Sequence, residues 1–150
     1  MKHPLHFLKS QKLLILASSD NDQPWVANVY FVVDDDCKLY FVSREGARHS
    51  QEMLMNPKVA FSSVWFDTTN FRNRKAVQGV GTCNVVEDEA GIMKALQLYH
   101  SNFLGSDKLI TLEWLRNNEH QSCFWVIEPT YLKHWDDEQY GEDGSKEFYW

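Results

Sequence analysis

Five polar residues lie close together where an extended segment is followed by a helical one. Ser43 ends the apolar run KLYFVS, Arg44 follows it, and Arg48, His49 and Ser50 open the next segment. Hydroxyl and guanidinium groups bind phosphate, and so do the unpaired backbone N–H groups at the start of a helix, where the helix dipole is positive. The 43–50 segment is therefore predicted to bind a phosphate or a similar anion.

Each of these residues also has a purely structural interpretation. The two arginines could be solvated charges beside a helix, the two serines could be ordinary caps, and His49 could be an exposed helix residue. Each explanation accounts for one residue type only. The combination of hydroxyl groups, guanidinium groups and a helix start within eight residues favours anion binding.

Histidine and cysteine spacing predicts neither a metal site nor a cysteine nucleophile. The histidines show no HxxxH or HExxH spacing. Cys37, Cys83 and Cys123 form no CxxC pair, and their odd number leaves at least one without an intrachain partner. Such cysteine usage is typical of a reducing compartment, so we expect a cytoplasmic protein.

The net charge and the hydropathy of the chain limit the kinds of partner that it can bind. A net charge of -6 argues against broad attraction to nucleic acid or to an anionic membrane. No segment approaches the ~20 consecutive apolar residues that a membrane-spanning helix requires. We therefore expect neither a nucleic-acid partner nor a membrane partner, and a length of 150 residues fits one domain.

The hydrophobic pattern predicts a mainly β fold with a minor α content. Extended apolar runs at residues 12–18, 25–33, 38–43, 58–66, 75–87 and 122–135 predict about six strands, and helical spacing predicts helices near 3–11, 47–55, 88–103 and 109–115. Most connections have hairpin length. The strands should therefore form an antiparallel sheet that closes, or nearly closes, into a barrel.

Two glycines and a proline interrupt the predicted strands, and the last fifteen residues differ in composition from the rest of the chain. Gly79 and Gly81 predict a bend, a bulge or the close approach of a bound molecule. Pro129 cannot donate a hydrogen bond to a neighbouring strand, so it predicts an edge or a bulge. Residues 136–150 mix acids, glycines and aromatics, and we expect either a flexible end or an arm that orders against a partner.

The order of these segments resembles the flavin-binding split-barrel family typified by pyridoxamine 5'-phosphate oxidase, and its small YhbP-like bacterial subgroup most of all. The similarity spans roughly residues 13–135, with the motifs L-Y-F-V-S, A-R-H-S, N-P-x-V-A-F, V-x-G-x-G-T-C and I-x-P-x-Y-L-x-x-W. It implies a six-stranded antiparallel split β-barrel with flanking helices over residues 1–150. It also implies FMN as the cofactor, bound in a groove between the subunits of a homodimer.

The resemblance also implies which residues contact FMN. Residues of the 43–50 segment would hold the phosphate, with His49 standing where the family has a lysine; the set is Ser43, Arg44, Arg48, His49 and Ser50. Other positions would border the isoalloxazine ring, namely Asn28, Val29, Tyr30 and Trp135. Ala76 stands where the family commonly has a flavin-contacting glutamine, so Lys75 and Gln78 are the candidates to replace it.

By the same resemblance, the chain would be a flavin-dependent oxidoreductase acting on an unknown small substrate. The oxidase carries a basic Arg-x-His element after its matching tryptophan, whereas Asp136, Asp137 and Glu138 follow Trp135 here. Acids repel a phosphate, so we do not expect pyridoxamine 5'-phosphate as the substrate. No catalytic acid or base can be assigned. The alternative is a non-enzymatic module or sensor that holds a flavin, haem or another anionic ligand.

Overall fold

The computed structural model describes residues 3–150 and is mainly β, as predicted. The strands are β1 (Leu13–Asp20), β2 (Gln23–Tyr30), β3 (Val32–Val33), β4 (Leu39–Arg44), β5 (Lys58–Phe66), β6 (Arg74–Val85), β7 (Ser122–Asp136) and β8 (Ser145–Tyr149). The helices are α1 (Pro4–Ser10), α2 (Arg48–Met55), α3 (Glu89–Asn102), α4 (Ser106–Leu109), α5 (Leu112–Arg116) and α6 (Asp137–Tyr140), with a 3-10 turn at Asn118–His120. Within residues 3–150, no helix is long and apolar enough to cross a membrane.

The antiparallel sheet closes on itself because one continuous stretch of chain forms both of its ends. The strand order is β2-β1-β5-β6-β7-β4-β3, and β8 pairs with β7. Only Phe31 separates β2, which pairs with β1, from β3, which pairs with β4. The backbone N–H of Phe31 donates to the carbonyl of Lys12 at 3.1 Å. The chain therefore passes from one edge of the sheet to the other at this residue, which confirms the predicted barrel class.

Tyr99 of α3 bridges the seam between the two ends of the sheet, where the chain passes from β2 to β3. Its hydroxyl donates to the carbonyl of Tyr30 at 2.8 Å and accepts from the backbone N–H of Val42 at 3.2 Å. Burial raises the pKa of Tyr99, so the hydroxyl keeps its proton. Asp88 caps the start of α3 as predicted, because its carboxylate accepts from the N–H of Gly91 at 2.8 Å. Hydrogen bonds thus stabilise the seam in addition to apolar packing.

Alternate residues of the strands fill the barrel interior, and two helices cover its two ends. The largest interior side chains include Phe31, Phe41 and Trp125, all buried. Helix α1 adds Phe7 and Leu8 at the end where β1 and β4 begin. Helix α2 adds Met53 at the opposite end, where β1 and β4 finish. A polar residue placed near either helix therefore lies at one mouth of the barrel.

The two glycines of β6 mark a bulge and a close approach within the protein itself. The pairing of β6 with β7 shifts register beside Gly81, which pairs with Pro129. A Cβ atom on Gly81 would lie 2.3 Å from the backbone oxygen of Glu128, and one on Gly79 would lie 2.3 Å from the ring of Phe61. No larger residue fits either position without a shift of its neighbours. The expected bulge is therefore confirmed at Gly81 and Pro129.

The C-terminal residues fold back on their own chain instead of forming a free end. Helix α6 follows β7 directly, and β8 pairs antiparallel with β7. The rings of Tyr131 and Tyr149 lie 5.2 Å apart, and the Tyr131 hydroxyl donates to Glu147 Oε1 at 2.9 Å. Phe148 packs against the barrel core. Of the terminal aromatics, Phe148 is thus partly buried, whereas Tyr149 and Trp150 remain exposed. With β8 and the break between β2 and β3, the sheet has eight strands where the sequence predicts six.

Candidate functional site

Three residues of the 43–50 segment form a hydrogen-bonded cluster at the α2 end of the barrel. Ser43 Oγ lies 2.7 Å from His49 Nε2, and the hydroxyl of Ser50 donates to Ser43 Oγ at 3.2 Å. Ser50 is fully buried, whereas Ser43 and His49 are half-buried. Burial lowers the pKa of His49 while the charge of Glu52 opposes the shift, so the imidazole is neutral near pH 7. In the tautomer with the ring proton on Nε2, a neutral His49 donates to Ser43 Oγ and leaves the hydroxyl proton of Ser43 available to another acceptor.

Arg48 is held in place beside this cluster. Its Nε donates to Glu52 Oε1 at 3.1 Å, and its guanidinium carbon lies 4.1 Å from the centre of the Trp25 ring. The hydroxyl of Ser18 donates to the other oxygen of Glu52 at 2.5 Å. This bond and the one from Arg48 lower the pKa of Glu52, so the carboxyl stays ionised. Among the described residues no hydrogen bond or ion pair is found for the terminal nitrogens of Arg48, which can therefore bind an anion.

The start of α2 offers backbone donors that no side chain satisfies. Ala47 occupies the N-cap position and has no side-chain acceptor, and the first turn contains no acidic residue. The first N–H groups of a helix lack intrahelical partners, and side-chain capping usually supplies one. An anion near Ala47 and Arg48 would meet these donors and the positive end of the helix dipole.

Arg44 lies apart from this cluster. Successive residues of a strand point to opposite faces, and Ser43 faces the barrel interior, so Arg44 faces outward. It lines a cavity of about 810 Å³ between the β4–α2 loop and the α5–β7 connection, together with Trp114 and His120. Within residues 3–150, no hydrogen bond or ion pair joins Arg44 to Ser43, His49 or Ser50. The structure therefore brings together four of the five predicted phosphate residues and not the fifth.

The residues predicted to border a flavin ring divide between the two faces of the sheet. Asn28, Tyr30, Gln78 and Trp135 share its outer face, and the indole N–H of Trp135 donates to Gln78 Oε1 at 2.7 Å. Val29 points inward and is buried in the core, so only its backbone could reach a ligand. Gln78 thus lies beside the predicted ring-binding tryptophan.

Lys75 lies on the other face of β6 and is already paired. Its ammonium group lies 2.7 Å from Glu138 Oε2. The acids that follow Trp135 are similarly engaged: Asp136 accepts from the N–H of Gln139 at 3.0 Å, and Asp137 accepts from the N–H of Arg74 at 2.9 Å. The ammonium group of Lys75 and the two backbone N–H donors partly compensate the negative charge of these carboxylates. The repulsion of a substrate phosphate that the sequence predicts is therefore weakened.

The outer face of the sheet exposes a continuous apolar surface that the sequence analysis did not predict. Its exposed members are Leu13, Ile15, Val26, Tyr30, Val64, Phe66 and Val80. A depression of about 390 Å³ lies at its centre, lined in part by Ala17, Ala60 and Tyr131. The run KLLILAS is apolar at both alternating sets of positions, a pattern typical of a strand covered on both faces. An apolar patch of this extent marks an interaction surface.

The comparisons with known proteins agree on one family. The family model described as pyridoxamine 5'-phosphate oxidase matches residues 3–136. A UPF0306 protein of Pasteurella multocida is 23% identical over 133 residues, which cover 88% of this chain and 80% of that protein.

Two solved structures share the fold at low sequence identity. A heme binding protein from Mycobacterium smegmatis superimposes with a TM-score of 0.75 at 12% identity, covering 99% of this chain and 59% of that chain. A FAD binding protein from the same organism superimposes with a TM-score of 0.63 at 17% identity, covering 97% of this chain and 93% of that chain. At these identities the likeness shows a common fold and not a common ligand.

Proposed function

Because this chain belongs to the pyridoxamine 5'-phosphate oxidase family, we propose that it binds FMN in a groove between two copies of the chain in a homodimer. The observation that carries the proposal is the oriented Arg48 guanidinium at the uncapped start of α2, beside the Ser43 and His49 side chains. A charged group, a hydroxyl and free backbone donors converge there. This combination suits the terminal phosphate of a flavin nucleotide.

The roles of the 43–50 residues differ in this proposal. Arg48 and the first N–H groups of α2 contact the phosphate directly. Ser43 donates a hydroxyl, which Ser50 and His49 orient through hydrogen bonds of 3.2 and 2.7 Å. Arg44 faces away and contributes only longer-range charge.

The outer face of the sheet supports the homodimer and the position of the flavin ring. A second copy that covers this face would remove its exposed apolar side chains from water. The Trp135–Gln78 pair offers an aromatic ring and an amide group to the ring system, and Asn28 and Tyr30 lie on the same face.

When bound, the flavin supplies the electron chemistry, and the protein binds it, orients it and excludes water. We therefore propose a flavin-dependent oxidoreductase that acts on a small substrate, with no side chain assigned as acid or base. The second candidate is a non-enzymatic binding module, with haem as one ligand. Tyr30 and Tyr131 lie on the outer face and carry hydroxyl groups of a kind that can ligate haem iron, so the visible spectrum of the purified protein separates this candidate from the flavin.

Replacement of Arg48 tests the proposed phosphate contact. Arg48→Ala should weaken FMN binding by more than tenfold, about 1.5–3 kcal/mol for the loss of a charge-assisted hydrogen bond. Quenching of flavin fluorescence measures the affinity. Arg116→Ala is the matched control, because Arg116 is an exposed arginine paired with Glu89 at 3.3 Å. Equal affinity in the two variants would reject the assignment.

Colour and reduction separate the enzyme from the binding module. An enzyme of this kind should purify yellow, release FMN on denaturation and lose its visible absorbance when a nicotinamide cofactor is added without oxygen. A flavin that stays oxidised under those conditions supports the binding module. A colourless protein whose thermal midpoint does not rise with added FMN would contradict flavin binding altogether, because a ligand of the native state must stabilise it.

A further inference from the structure

A small cavity lies at the α1 end of the barrel, opposite the end that carries the 43–50 segment. Its volume is about 140 Å³. Four structural elements contribute to its wall, through the residues His3, His6, Phe7, Ser10, Lys75, His134, Asp136 and Gln139. Nucleotide-sized ligands occupy pockets of roughly 300–1,000 Å³, so only a small molecule or ion fits here.

His134 lines this cavity and carries a ring nitrogen without a hydrogen-bond partner among the described residues. The side chain points into the barrel and is 1% exposed. Its Nδ1 lies 3.2 Å from the hydroxyl of Tyr140, whereas its buried Nε2 has no hydrogen-bond partner among the described residues. Buried polar atoms in folded proteins are nearly always paired with protein, water or a ligand. The free Nε2 therefore indicates an occupant of the cavity.

The surrounding groups show which kind of occupant fits. Burial raises the pKa of Tyr140, so its hydroxyl keeps the proton. In the tautomer in which this hydroxyl donates to Nδ1 of His134, the ring proton lies on Nε2, which is then a donor. Lys75 adds an ammonium group, which pairs with Glu138 Oε2 at 2.7 Å and has further N–H donors, whereas the Ser10 hydroxyl already donates to the carbonyl of Phe7 at 2.6 Å. Asp136 is the one carboxylate in the wall, and one of its oxygens is occupied by the N–H of Gln139.

From the unpaired Nε2 of His134 and the ammonium group of Lys75 we infer that the cavity binds a small oxyanion, such as phosphate or a short carboxylate, with these two residues as its main donors. The site lies at the other mouth of the barrel from the proposed flavin phosphate site. It is separate from the proposed flavin contacts, because none of its residues belongs to the 43–50 segment and Lys75, a predicted flavin contact, lies on the opposite face of β6 from Gln78.

Anion binding at this cavity should be linked to proton uptake. Burial lowers the pKa of His134, and the charges of His3 and Lys75 act in the same direction while Asp136 opposes them. His6 of α1 and Tyr140 of α6 also face the cavity region, and Glu138 pairs with Lys75. A bound anion compensates an imidazolium at His134, so affinity should increase as the pH falls from 8 to 6.

Thermal unfolding with inorganic phosphate tests the site. The midpoint of the wild-type protein should rise with phosphate at constant ionic strength, by about 2 °C or more at saturating concentration, and more at pH 6 than at pH 8. The rise should disappear in His134→Phe and shrink in Lys75→Met. It should persist in Arg48→Ala, which removes the main donor at the other mouth, and in Lys108→Met, an exposed control on α4.

A direct measurement keeps the test decisive if His134→Phe fails to fold. The Nε2 resonance of His134 in the ¹⁵N NMR spectrum of the wild-type protein should shift with phosphate and saturate at the same concentration as the thermal effect. No shift, or a midpoint that rises only when Arg48 is present, would overturn the inference. In that case water fills the cavity or phosphate binds at the 43–50 segment.

Discussion

At the scale of single residues, His49 is the most informative departure from the family pattern. A lysine at this position would carry a permanent charge, whereas burial lowers the pKa of His49 and leaves it neutral near pH 7. Its close contact with Ser43 Oγ at 2.7 Å orients a hydroxyl instead of supplying a charge. In the proposed site, Arg48 is then the main source of positive charge for the phosphate.

Substitution of the family residue at this position gives a test. His49→Lys should strengthen FMN binding by about 3–10-fold, because an added charge-assisted contact outweighs the lost hydrogen bond to Ser43. Fluorescence titration at low and high salt measures the change, and the gain should shrink at high salt. His100→Lys, on α3, is the control for a lysine placed elsewhere. A weaker affinity in His49→Lys would mean that residue 49 does not face the phosphate.

At the scale of elements, the bulge between β6 and β7 depends on Gly81, a residue without a side chain. A Cβ atom on Gly81 would lie only 2.3 Å from the backbone oxygen of Glu128. The obstacle is backbone and cannot rotate away. This bulge occurs along the β6–β7 pair that also carries Gln78 and Trp135, so its geometry affects the alignment of the proposed ring-binding residues.

Gly81→Ala should therefore destabilise the protein by about 2–4 kcal/mol, as expected for an overpacked backbone contact. Urea unfolding measures the free energy. Gly46→Ala is the matched control, because no atom lies within 4 Å of its Cβ position and its φ is not positive. A Gly81→Ala variant as stable as Gly46→Ala would show that the two strands separate easily at the bulge.

At the scale of the whole molecule, the exposed outer face supports an assembly of two copies. Ile15 lies on this face next to the central depression and is 42% exposed. A charge at this position is tolerated in a single copy because the side chain already meets water. In a dimer that buries the face, the same charge would be desolvated without a partner.

Ile15→Glu should therefore convert a dimer into a monomer and weaken FMN binding in parallel. Light scattering coupled to size-exclusion chromatography measures the mass. Leu109→Glu is the control, since Leu109 is 72% exposed on α4, away from the outer face. A dimer that survives Ile15→Glu would place the contact on another surface.

The stability of the whole molecule should also depend on pH through His134, which is buried, and His49, which is half-buried. Burial lowers the pKa of both His49 and His134 below the ordinary value of about 6.5. Below that value the unfolded chain binds more protons than the folded one. Stability is therefore fully present above about pH 6.5 and is lost as the pH falls, by at most ~1.4 kcal/mol per pH unit for each histidine.

Urea unfolding at a series of pH values between 5 and 8 in phosphate-free buffer measures this dependence. His134→Phe and His49→Gln should each reduce the slope on the acid side. Substitution of His6, an exposed residue, should leave the slope nearly unchanged. A slope that survives both His134→Phe and His49→Gln would assign the acid sensitivity to the carboxylates.

The sequence alone determined the features that depend on residues adjacent in the chain. Alternation and turn residues predicted the strands and the barrel class, and Gly81 with Pro129 predicted the bulge. The order of the motifs pointed to the family, which the family model over residues 3–136 confirms. The phosphate and ring contacts remain predictions.

Only the tertiary structure decided which residues meet. Ser43 and Arg44 are neighbours in sequence, yet strand alternation sends them to opposite faces, and Lys75 and Gln78 are separated in the same way. The burial of His134 beneath α1 and the pairing of β8 with β7 involve residues far apart in the chain. Local patterns determine strands and turns because those depend on adjacent residues. The register and closure of the barrel determine the sites, because they set which distant side chains share a face.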